Sequence, residues 1–150
     1  MACETMNKCI LLSLFFTILG LQVFGYDEED LDKFLRTNQC EKCDLALVDL
    51  KDMNLSKASL READLFGAKL SRADLSEAEL VEVNLIEADL SQTNLINANL
   101  IGTDLWGAIL IGADLRGAKL NGAVLDYADL EQVKFCNTAM SDGSIRNDDC

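Results

Sequence analysis

From residue 45 to residue 130 a leucine stands at every fifth position without a miss, from Leu45, Leu50 and Leu55 through to Leu120, Leu125 and Leu130, eighteen in all. Phe135, Met140 and Ile145 continue the phase. No regular element tolerates this spacing. On a straight α-helix five residues advance the side chain by about 140°, which would scatter the leucines over every face. On a flat strand five is odd, so successive leucines would alternate between the two faces. All of them can point inward only if the backbone turns by a fixed angle once per five residues, coiling about a central axis. The chain is therefore read as a solenoid.

Each unit supports that reading. Two residues before the leucine the side chain is usually alanine, as at Ala58, Ala63, Ala73, Ala88, Ala113 and Ala128. Alanine fits beside an axis where a larger group would crowd the next coil, and strand alternation puts it on the same inward side as the leucine. One residue before the leucine stands Asp or Asn, as at Asp44, Asn54, Asp64, Asn84, Asp104 and Asp114. These side chains bond readily to nearby backbone amides in turns. Gly67, Gly102, Gly107, Gly112, Gly117 and Gly122 lie two residues after a leucine, at the expected corners. The sequence has no proline, as suits coils that must each donate hydrogen bonds to the next.

Segments such as Ala63-Asp64-Leu65-Phe66-Gly67 and Ala113-Asp114-Leu115-Arg116-Gly117 resemble the A-(D/N)-L-x-x unit of the pentapeptide-repeat family. The resemblance covers residues 41–135 and implies an all-β, right-handed quadrilateral β-helix with four units per coil. At twenty residues per coil the series makes about five coils, a rod about 25 Å long at ordinary strand spacing.

The start of the chain is of another kind. After Lys8, an apolar run from Ile10 to Leu21 is too short to span a bilayer comfortably. It is followed by Val23-Phe24-Gly25, and residues 1–25 read as a secretory signal peptide cut after Gly25, the alternative being an uncleaved anchor. The mature chain would carry a net charge of −13, as the whole chain does. Such a surface repels nucleic acid and anionic lipid, so neither is expected as a partner, and no membrane association is expected after cleavage. Cys3 and Cys9 would leave with the leader, and the remaining Cys40, Cys43, Cys136 and Cys150 suggest disulfides in an oxidising compartment: periplasm, thylakoid lumen or extracellular space.

An open coil needs capping. Residues 26–40 are expected to supply a short N-terminal capping helix and linker: Leu31, Phe34 and Leu35 have helical spacing, with Asp27 as N-cap. The spacing Cys40-Glu41-Lys42-Cys43 invites a redox or zinc reading. The chain has no histidine and no βαβ context for a redox motif, so a structural Cys40–Cys43 disulfide is preferred. The tail, residues 136–150, is similar to the closing segment of lumenal and periplasmic pentapeptide-repeat proteins of cyanobacterial type. That resemblance implies a C-terminal cap tied by Cys136–Cys150.

Stacking the coils at twenty-residue intervals lines up Phe66, Ile86 and Trp106 in one outer column, with Val81 and Ile101 in the adjacent one. These five are the candidate interface, for a protein partner or for self-association. Catalysis has little support. Histidine is absent, the aspartates recur at every corner, and neither a metal-ligand cluster nor a phosphate-binding glycine loop is evident. No catalytic residue, metal or cofactor is expected. The leading function is a non-enzymatic exported scaffold that binds protein. The alternative is a DNA-mimicking inhibitor or protector of a topoisomerase such as gyrase, as some members of the resembled family are; the leader and the paired cysteines speak against it.

Overall fold

A computed structural model describes residues 25–150. The leader read over residues 1–25 lies outside the described residues except for Gly25. The repeat builds a β-helix in which each five-residue unit contributes three extended residues and a two-residue turn. Single-residue parallel bridges join each unit to the one twenty residues later, and they run in four ladders. One passes through Asp44, Asp64, Asn84, Asp104 and Val124; the next through Asp49, Lys69, Asp89, Ile109 and Asp129. The third passes through Asn54, Asp74, Asn94, Asp114 and Lys134, and the fourth from Gln39 through Ser59, Glu79, Asn99 and Lys119 to Ala139. Four sides thus close each coil, and they are called here the first to the fourth side in that order.

The turn mechanism is uniform. The second turn residue of each unit is left-handed, with φ between 56° and 60° at Leu47, Glu62, Arg72, Glu87 and Tyr127 and between 59° and 74° at the corner glycines from Gly67 to Gly122. Glycine accepts this conformation freely. The many non-glycine residues there pay a local cost, which the ladder bonds on both sides of the turn outweigh. Inside, the leucines from Leu45 to Leu120 are at most 3 % exposed, and the alanines two residues before them are equally buried. Where threonine replaces alanine, its hydroxyl is satisfied: Thr93, Thr103 and Thr138 donate to the carbonyls of Leu70, Leu80 and Leu115 at 2.7–2.8 Å. A buried hydroxyl without such a bond would be costly.

Stacked side chains on neighbouring coils stand opposite one another at sheet spacing, so like charges there would repel. In the middle of the third side Asp and Asn alternate, and Asn94 donates to Asp74 at 2.9 Å. On the first side Asn84 likewise donates to Asp64 at 2.9 Å. The second side interleaves Lys69 and Ile109 between aspartates. Among the four ladders only Asp44 and Asp64 place two acids in succession.

The N-terminal end carries helix α1, Glu28–Thr37. Asp27 is its N-cap, accepting from the N–H groups of Glu29 and Asp30, and Asn38 closes it in a left-handed C-cap. Phe34 is fully buried against the core and Leu31 packs beside it, whereas Leu35, expected on the apolar side, is 47 % exposed. The helix face toward the coil is one residue narrower than the spacing suggested. The backbone of Asp44 is met from below: its N–H donates to Asp30 Oδ2 and its carbonyl accepts from Asp27 N–H, both at 2.9 Å. Asn38 and Cys40 cover the fourth side at Ser59. Cys40 and Cys43 are bonded to each other and buried in the same cluster.

At the C-terminal end the inward phase stops earlier than the sequence suggested. Phe135 is buried and Met140 half-buried, but Ile145 is 53 % exposed. Residue 145 belongs to a hairpin of β1, Thr138–Ala139, and β2, Ile145–Arg146, paired antiparallel. The chain has reversed direction, so Ile145 cannot face the axis. The hairpin and the tail close the third and fourth sides. Asp149 accepts from Phe135 N–H, Asn147 accepts from Asn137 N–H, and Cys136 is bonded to Cys150. Arg146 lies over the Phe135 ring at 3.8 Å.

Candidate interaction surface

The column of Phe66, Ile86 and Trp106 occupies the corner between the first and second sides. Adjacent coils meet there through Gly67 N–H to Ile86 carbonyl at 2.8 Å and Glu87 N–H to Trp106 carbonyl at 2.9 Å. Val81 and Ile101 occupy the corner between the fourth and first sides, joined by Glu82 N–H to Ile101 carbonyl at 2.9 Å. Phe66, Trp106 and Ile101 are exposed, at 37–42 %, while Ile86 and Val81 are half-buried. The two columns do not touch as one apolar patch. The whole first side separates them, and its outward residues Asp64, Asn84 and Asp104 form a polar stripe. Two apolar ridges flanking a polar stripe describe this surface.

Three further exposed apolar residues gather at the C-terminal end of the Trp106 ridge: Ile109, Val124 and Tyr127. Tyr127 meets Trp106 edge-on, with ring centroids 5.5 Å apart. Val124 is the bridge partner of Asp104. The sequence reading missed them because it aligned only the first turn position of each unit. The same twenty-residue alignment applied to the outward strand position shows Ile109 and Val124 where earlier coils carry polar residues, and a five-residue step along the second turn position shows Tyr127 following five successive corner glycines.

Charge along the middle of the rod is one-sided. Residues 73–115 contain eight acids and neither lysine nor arginine. Cations elsewhere are largely engaged. Arg72 pairs with Asp52 at 2.6 Å across one coil, holding the Asp52 carboxyl below the usual carboxylate range. Arg116 does the same to Asp114 from within one unit.

Around the first disulfide, Asp30, Cys40 and Cys43 place their potential ligand atoms within 4.8 Å of one another. The two sulfurs are joined, and metal ligation requires thiolate. Asp30 Oδ2 is already taken by Asp44 N–H. The concavity beside α1 is lined by Asp27, Asp30, Asp32, Lys33 and Arg36. Within it Asp27 is committed as the N-cap and Arg36 to Asp32. Among the described residues no helix is long and apolar enough to cross a membrane.

Solved structures similar to this chain include pentapeptide repeat proteins. One is Rfr23, a pentapeptide repeat protein of the cyanobacterium Cyanothece, 27 % identical with a TM-score of 0.47, over 75 % of this chain and 95 % of that one. Another is a pentapeptide repeat protein from the Arabidopsis thaliana thylakoid lumen, 24 % identical with a TM-score of 0.43, over 76 % and 73 %. A third is QnrB1, a plasmid-mediated fluoroquinolone resistance protein, 19 % identical with a TM-score of 0.43, over 68 % and 67 %. No curated protein matches the chain. The model of pentapeptide repeats matches in eight copies over residues 43–80, 78–117 and 107–142. With the unbroken period of five, this places the chain in the pentapeptide-repeat family.

Proposed function

We propose that this protein is a non-enzymatic, exported scaffold that binds a protein partner through the apolar ridges beside its first side. In this reading the β-helix is a right-handed quadrilateral of about five coils spanning residues 41–135. Residues 26–40 cap its first coil, and residues 136–150 form the disulfide-tied end. The observation that carries the binding role is Trp106: a tryptophan 42 % exposed in mid-rod, on a ridge with Phe66 and Ile86. Large aromatic side chains left in water on an acidic rod are the usual anchors of protein interfaces. Export to the periplasm, a thylakoid lumen or the extracellular space is supported by the pairing of Cys40 with Cys43 and of Cys136 with Cys150, since such bonds persist in oxidising compartments.

The test compares the chain with its Trp106→Ser and Phe66→Ser double variant, both immobilised and exposed to extract from the compartment in which the protein resides. The expected outcome is an unchanged circular dichroism melt, with a specific partner retained by the parent and lost by the variant. Equal retention by both would refute the ridge as the docking surface. Intact mass of the native protein, with thiols capped before reduction, tests export: a start near Tyr26 with no capped thiols is expected.

A further inference from the structure

In the interior coils every leucine N–H and every second-turn N–H donates to the coil above, as Leu85 does to Asp104 and Glu87 to Trp106. In the last coil this donor pattern breaks on two sides only. The N–H groups of Leu125, Tyr127, Leu130 and Gln132 have no partner among the described residues, and the carbonyls of Ala123 and Ala128 accept nothing, as does that of Val133 on the third side. The third and fourth sides of the same coil are closed by Asp149, Asn147 and the hairpin. The core is open at the same place: Leu125, Ala128 and Leu130 are only partly buried, while leucines one coil below are sealed.

From this geometry we infer that the uncovered edge, residues 123–132, is a docking site for an extended, cationic segment of a partner protein that adds as the next strand. Such an edge supplies alternating donors and acceptors for main-chain pairing, the ordinary means of strand addition. Its margin supplies side-chain selectivity. Tyr127, 83 % exposed, stands in the left-handed conformation that the preceding corners give to glycine. A bulky aromatic held there against Trp106 provides an apolar wall for the incoming strand.

Charge selects the occupant. On the first and second sides and their corners, residues 83–92, 103–112 and 123–132 carry six acids, Asp126, Asp129 and Glu131 at the edge itself, and no cation. A second copy of this chain would bring its own net charge of −13 to that margin. A segment alternating basic and aliphatic residues would neutralise the margin and cover Leu125 and Leu130.

The inference shares with the proposed function that the chain binds protein, and its surface adjoins the ridge only where Tyr127 meets Trp106. The experiment titrates the full-length, disulfide-bonded, 15N-labelled chain with an alternating lysine–valine heptapeptide and, separately, with its glutamate–valine counterpart. Saturable shifts at the amides of Leu125, Tyr127, Leu130 and Gln132 are expected with the lysine peptide alone, with exchange slowed about ten-fold, equivalent to about 1.4 kcal/mol. Tyr127→Gly, which suits the local backbone, and Asp129→Lys should each weaken binding several-fold without changing the melt, whereas Phe66→Ser should leave it intact. Shifts confined to the Trp106 ridge, an equal response to the glutamate peptide, or protection that rises with protein concentration in the absence of peptide would each overturn it.

Discussion

The two ends of the rod solve the same problem to different degrees. At the N-terminal end Phe34 of α1 is buried in the core, and Val48, Leu50 and Leu55 in the first coil are at most 3 % exposed, with Met53 partly buried. This holds although the N–H groups of Asp49 and Asn54 find no partner among the described residues. At the C-terminal end the tail satisfies backbone on two sides, yet nothing sits over Leu125 and Leu130, which stay partly exposed. One end buries most of its inward side chains although part of its backbone is unpaired. The other closes its side chains and its N–H donors on two sides and leaves both open on the other two. Backbone groups at a solvent-facing edge are served by water until a strand pairs with them; an end is most adhesive where unpaired backbone and exposed core side chains coincide.

The sharpest way to break this comparison is to truncate the Phe34 side chain. Phe34→Ala should destabilise the protein by about 3–5 kcal/mol, whereas Leu130→Ala should cost less than about 2 kcal/mol, because the latter side chain is already partly in water. Denaturant melts of both variants check the contrast, and equal losses would mean that the last coil is covered. Next in size, Cys136→Ser with Cys150→Ser opens a loop of sequence separation 14 and should cost about 3 kcal/mol on the chain-entropy estimate. Removing the Cys40–Cys43 pair, whose separation is 3, should cost less. Thr103→Val in the middle of the rod should cost about 1 kcal/mol for the bond lost to the Leu80 carbonyl, a reference independent of either end.

The smallest effect expected is electrostatic. The Arg116 guanidinium beside Asp114 holds that carboxyl below its usual range. A depressed folded pKa gives stability that is present above the unfolded value, about 3.9, and fades as pH falls through the lower folded value. The melting temperature of Asp114→Asn should therefore lie slightly below the parent's at neutral pH and converge with it in strong acid. A gap that stays constant with pH would mean that the pair contributes nothing.

The inward half of this protein was legible and the outward half only partly so. A leucine every fifth residue dictates coiling, alanine beside it dictates a thin axis, and Asp27 with the spacing of Leu31 and Phe34 marks the helix. The number of sides is not contained in that period. It depends on the turn angle per unit, which the left-handed second turn residue sets, and it emerges from the Asp64–Asn84–Asp104 ladder and its three companions. Ile145 kept the leucine phase in sequence but lies beyond a chain reversal that a period count cannot register. The polar stripe between the two ridges, and the cluster at Ile109, Val124 and Tyr127, were overlooked for a simpler reason: outer columns have no repeat of their own, so each must be stacked and read separately.

The central claim is a rod whose last coil is uncovered on two sides, and residue-resolved amide hydrogen exchange of the free chain tests it most directly. The account predicts strong protection at the leucine amides from Leu60 to Leu120 and rapid exchange at Leu125, Tyr127, Leu130 and Gln132. If those four amides were as protected as Leu85 in the free monomer, the end would be closed and the account wrong.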